Sequence, residues 1–68
     1  MSSIAKVTEI TAQSPDGFEH AIRTGVERLN KTIRNLQSVW IKDQEVVLDG
    51  GKIKNFRVTM KVTFLVED

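Results

Sequence analysis

The sequence predicts an α+β domain of element order β-α-β-β, in which a three-stranded antiparallel sheet carries one helix on one face. Three observations lead there. Every second residue from Phe56 to Val66 is large and apolar, the signature of a strand with one buried face. From Phe18 to Asn35 the apolar period lengthens from two to about 3.6, as an amphipathic helix requires. Between two strand-like runs, Asp49-Gly50-Gly51 offers a tight turn, because glycine accepts positive φ at no steric cost.

Taken in order, Ile4 to Ala12 reads as a short strand of mixed faces. The charges of Lys6 and Glu9 suit an edge, where they discourage stray pairing. Gln13-Ser14-Pro15-Asp16-Gly17 then interrupts the chain. Pro15 fixes its own φ and biases Ser14 away from helix. Both Ser14 and Asp16 are candidate caps, since their oxygens can accept from free amides of a first helical turn.

The helix predicted over Phe18 to Asn35 places Phe18, Ala21, Ile22, Gly25, Val26, Leu29, Ile33 and the following Leu36 on one stripe. Glu19 and Arg23, and Glu27 and Lys31, are spaced for i,i+4 ion pairs. Gly25 costs about 1 kcal/mol relative to alanine in a helix interior. Its place on the apolar stripe implies a close approach to the sheet. The second strand, Gln37 to Leu48, alternates so that Val39, Ile41, Asp43, Glu45 and Val47 share one face. Ser38, Trp40, Lys42, Gln44, Val46 and Leu48 take the other. The final strand, Asn55 to Glu67, completes an antiparallel hairpin.

Composition narrows the function classes. A 68-residue chain is one small domain, and at this size folding buries only about 60% of the surface the unfolded chain exposes. There is no cysteine and a single histidine, His20, so neither a disulfide nor a thiolate or histidine-cluster metal site can staple the fold. Association of subunits is the remaining source of burial. Ten basic against nine acidic residues leave a net charge of +1, too balanced for nucleic acid or an anionic membrane as main partner. No apolar run approaches the ~18 residues of a membrane span. The first residues lack the apolar core of a signal peptide, and a soluble cytoplasmic protein is expected. There is no tyrosine, no nucleophile elbow and no glycine-rich phosphate loop after a strand. Catalysis is not expected.

The chain resembles the dodecins over nearly its whole length. The resemblance rests on T-x-x-S-P-D-G-F at the end of the first strand (Thr11 to Phe18) and K-T-I-R-N-L (Lys31 to Leu36). A D-Q pair (Asp43, Gln44), the D-G-G turn and the closing F-R-V-T-M-K-V-T-F-L-V-E-D complete it. It implies a long curved sheet wrapped around one helix, assembling into a hollow homododecamer. It also implies non-catalytic flavin binding, for storage or sequestration that limits photochemical damage. In the family, flavins sit in pairs near two-fold axes, stacked against a tryptophan of the second strand, and some members bind coenzyme A.

Carried over residue by residue, the usual tryptophan position falls on Ser38, counting from Thr32. The indole here is Trp40, two residues later, on the same face but about 7 Å along the strand. The polar residue that bonds the isoalloxazine edge falls on Arg57. Asp43 and Gln44 match a D-Q pair of some members, whose acidic residue lies near the ribityl chain. The implied flavin site is therefore Trp40, Arg57, Ser38, Asp43 and Gln44, with riboflavin or FMN as ligand and coenzyme A as a possible second one.

Other readings stand beside it. Trp40 can be a subunit-contact residue in a flavin-free assembly that holds coenzyme A, a metal ion or nothing, since tryptophan is enriched in interface cores. Lys42, Lys52, Lys54, Arg57 and Lys61 make the hairpin basic, as in a dimeric β-ribbon that grips nucleic acid. Interleaved Glu45, Asp49, Glu67 and Asp68 favour a solvated face instead. His20, among charged neighbours on the first helical turns, reads as a surface histidine.

Overall fold

The computed structural model describes residues 2–66. Its elements are β1 (Ala5–Ser14), α1 (Phe18–Leu29), β2 (Leu36–Asp49) and β3 (Lys52–Leu65). The strands form one antiparallel sheet in the order β1-β3-β2, so the strictly alternating strand is the central one. Glu67, read as the last residue of that strand, lies outside the described residues. The N–H of Val66 donates to Ile4 O at 2.9 Å, just past the end of β3.

The period-two pattern of β3 builds the core directly. Val58, Met60 and Val62 are fully buried, and Ala21 of α1 lies on them. Across the ladder, Ala12 and Ile10 of β1 stand opposite Val58 and Met60. Ile41 and Val39 of β2 stand opposite Met60 and Val62. Phe18 meets Phe56 edge to face, with ring centroids 5.1 Å apart. Gly25 is where α1 touches the sheet: a Cβ there would lie 3.1 Å from Ala12 Cβ and 2.9 Å from Met60 Cε. The turn between β2 and β3 has Gly50 and Gly51 at φ 57° and 78°, the left-handed pair a two-residue hairpin needs.

Three local features depart from the sequence expectation. The helix ends at Leu29 rather than Asn35. The amides of Thr32 and Ile33 both donate to Leu29 O, and Asn35 adopts φ 62°. Two asparagines and β-branched Thr32 and Ile33 hold a helix poorly, so the chain unwinds into β2 there. Second, neither Ser14 nor Asp16 caps α1. The N-cap is Gly17 and no side chain bonds the free amides. Ser14 is committed elsewhere: its Oγ accepts from the Asp16 amide at 3.0 Å and lies 2.6 Å from His20 Nδ1. Third, β2 is not a simple alternation. Its register slips between Ile41 and Asp43, with Lys42 as the extra residue of a β-bulge.

The molecule measures 53 × 20 × 13 Å. Its radius of gyration, 14.1 Å, exceeds the roughly 11 Å of a compact chain this long. The cause is a mismatch of lengths, since α1 spans about 18 Å and the hairpin more than twice that. Val46, Leu48 and Ile53 toward the hairpin tip are accordingly 42%, 59% and 60% exposed. A single chain leaves its apolar face half covered, which is the physical motive for association.

Candidate functional site

The sheet face away from α1 carries the polar residues of β3. Val58, Met60 and Val62 point to the helix, so Arg57, Thr59, Lys61 and Thr63 point outward. Residues opposite one another in the ladder share a face, and the outer face is therefore read in rows. Val7, Thr63 and Ser38 form one, and Glu9, Lys61 and Trp40 the next. Thr11, Thr59 and Asp43 follow, and then Gln13, Arg57 and Glu45.

The bulge decides which expected site residues meet. Strict alternation places Asp43 with Val39 and Ile41, and Gln44 with Trp40. The extra Lys42 exchanges them: Asp43 now stands opposite outward-facing Thr59, while Gln44 stands opposite buried Val58. Ser38, Trp40, Asp43 and Arg57 thus share the outer face. Gln44 is on the helix side, separated from them by the sheet. The sequence does carry a trace of the bulge. Inward apolar positions of β2 are odd-numbered at Val39 and Ile41 and even-numbered at Val46 and Leu48, a change of parity that one inserted residue produces.

Trp40 is 64% exposed. The Lys61 ammonium sits 5.3 Å from its ring centroid, within the range of a cation–π contact. Arg57 is held from both edge strands: Nη1 pairs with Glu45 Oε1 at 3.1 Å, and Nε donates to Gln13 Oε1 at 3.2 Å. Lys42 reaches Glu9 Oε1 on the far strand at 3.4 Å, and the hydroxyls of Thr11 and Thr59 are 3.3 Å apart. These bracing partners escaped the sequence reading because they depend on the register of three strands.

What the face can do follows from its shape. Two concavities occur elsewhere, one of about 410 Å³ around Ile33, Arg34 and Phe64 and one of about 350 Å³ between α1 and β1. Neither includes Trp40 or Arg57. An exposed indole and, two rows along the same face, a fixed guanidinium offer one surface to a planar, hydrogen-bonding ring such as a flavin. Burying the ring's other side takes a second surface, because ligand sites enclose most of their ligand. A neighbouring subunit can supply such a surface.

Other chemistry finds little support. Ser14 and His20, with Asp16 Oδ2 3.8 Å from Nδ1, have the make-up of a nucleophile–base–acid set. Ser14 is only 3% exposed, however, and its oxygen already accepts the Asp16 amide, so the group braces the strand-to-helix junction. Among the described residues, no three acidic, histidine or cysteine side chains converge as metal ligands. No helix among them is long and apolar enough to cross a membrane.

A small β-α-β-β protein whose long sheet outruns its one helix, with an outward tryptophan on the second strand, belongs to a narrow structural class. The dodecin family model matches residues 4–67, and the chain belongs to the dodecin family. It is 28% identical to the dodecin of Thermus thermophilus, covering 100% of this chain and 99% of that one. The solved dodecin of Streptomyces davaonensis superposes with a TM-score of 0.94 at 34% identity, over the full length of both chains. A calcium dodecin of Mycobacterium tuberculosis has a TM-score of 0.85 at 23% identity, covering 96% of this chain and 93% of that one, a likeness of fold alone. The β-α-β-β expectation holds, and the family implies a multimeric, non-catalytic protein.

Proposed function

We propose that this protein is a cytoplasmic homododecamer that binds riboflavin or FMN without transforming it, holding the ring against Trp40 at subunit contacts. The observation that carries this reading is the exposed indole on the same face as Arg57, in a chain whose sheet is left uncovered. Stacking on the indole contributes about 0.5–1.5 kcal/mol beyond area burial, and Arg57 offers a planar pair of donors for ring carbonyls or a phosphate. Asp43, one row from Trp40 on the same face, offers acceptors for the ribityl hydroxyls. Gln44 lies across the sheet from the Trp40 of its own subunit. Sequestration follows, since electron transfer from a stacked indole quenches the excited flavin.

A second reading is favoured by Ser38, which stands where flavin-binding relatives place their tryptophan. In it the same assembly buries Trp40 between subunits and holds coenzyme A, a metal ion or no ligand. The variant Trp40→Ala separates the two. A variant that keeps the mass of the dodecamer and loses flavin supports the first reading. One that dissociates, with no flavin bound by the parent, supports the second.

A further inference from the structure

We propose that Lys61 is the positioning residue for Trp40, fixing the indole so that one ring face is covered by its ammonium and the opposite face is the platform for ligand. This inference rests on the flavin reading of the same site and concerns how the platform is made.

Within its own subunit a tryptophan on an edge strand, 64% exposed, has little packing to restrain it. Neither neighbouring row supplies any: Ser38 and Thr63 lie on one side, Asp43 and Thr59 on the other, all small or short. The one described contact to the ring is Lys61 Nζ at 5.3 Å from the centroid. Lys61 is well suited to the task because no ion pair among the described residues competes for it. Its cross-strand neighbour Glu9 is engaged by Lys42 at 3.4 Å, and Arg57 is engaged by Glu45. Asp43 is one row away, and none of the ion pairs among the described residues includes Lys61. The four-carbon stem rises from the central strand, where Lys61 is half-buried, and brings the charge over the ring. A ring already ordered loses less freedom when a ligand stacks on it.

The charge, not the length of the side chain, is what the contact needs. Lys61→Met keeps the apolar stem and removes the ammonium, and Lys61→Arg keeps a cation that stacks at least as well. An exposed cation–π contact corresponds to a roughly two- to fivefold change in an equilibrium. The experiment compares parent, Lys61→Met and Lys61→Arg as assembled proteins. It reads time-resolved anisotropy of Trp40 without ligand, and then the Kd for riboflavin and for FMN. The expected result is a faster local depolarisation in Lys61→Met, a Kd raised about two- to fivefold, and restoration of both by Lys61→Arg at unchanged oligomer mass. Equal anisotropy and equal Kd in Lys61→Met and parent overturn the inference while leaving flavin binding intact. If the parent binds neither flavin, the flavin reading fails and with it the platform, whatever the anisotropy shows.

Discussion

Replacing Gly25 with valine tests how closely α1 is seated on the sheet. Two opposing effects must be weighed. Valine recovers up to about half of the ~1 kcal/mol that glycine costs in a helix interior. Against that, its Cβ would lie 3.1 Å from Ala12 Cβ, 2.9 Å from Met60 Cε and 3.6 Å from Ile10 Cδ1. Met60 is fully buried, so its flexible end has little room to swing away, and Ala12 Cβ is fixed to the backbone of β1. Two further methyls then have to enter the same contact. Overpacking of this kind costs about 1–3 kcal/mol, which leaves a net destabilisation of about 0.5–2.5 kcal/mol for Gly25→Val. Gly25→Ala makes the same Cβ contacts but adds no further methyls, and its helix gain of about 1 kcal/mol roughly cancels the crowding. Urea melts of both variants and the parent, at one subunit concentration because assembly adds to apparent stability, give the comparison. A valine variant as stable as the parent would refute the close-approach argument.

Two further outcomes follow from side chains placed outside the core. Ser14→Ala removes a nearly buried acceptor of the Asp16 amide and the partner of His20, and should cost about 1 kcal/mol in the same melts; no loss would mean the junction is held by other bonds. Arg57 and Glu45 have side chains 38% and 60% exposed, so a double-mutant cycle should give a coupling below about 1 kcal/mol. Arg57→Ala, which removes every donor at that position, should nevertheless weaken flavin binding, and unchanged affinity would remove Arg57 from the site.

Much of the architecture was legible because it rests on strict periodicities. Six apolar residues at spacing two mark β3 as half-buried, and burial of Val58, Met60 and Val62 follows. Two consecutive glycines specify the hairpin, and a glycine on the apolar stripe of α1 announces a contact. Where the reading went astray, a local irregularity cancelled the period. Ile33 and Leu36 continue the helical stripe by spacing alone, although Leu36 already belongs to β2. Ser14 has the chemistry of a cap but is drawn into the end of β1 by its pairing with Phe56.

The site was legible in its residue types and less so in its geometry. Arg57 could be matched to a family position, and Trp40 to one two residues away, but faces depend on an unbroken ladder, and the Lys42 bulge breaks it. That single residue brings Asp43 to the indole's side and takes Gln44 away. Lys61 was seen only as one of several basic residues. Its place over the ring is set by the pairing of β2 with β3, which no one-strand pattern encodes.

The most direct test of flavin binding at Trp40 is a titration of the ligand-free assembly with riboflavin and FMN, following tryptophan and flavin emission together. Since Trp40 is the single indole of the chain, its signal reports on this site alone. Mutual quenching that saturates at micromolar or lower ligand concentration is the predicted result. Absence of quenching with either flavin in an intact oligomer would contradict it.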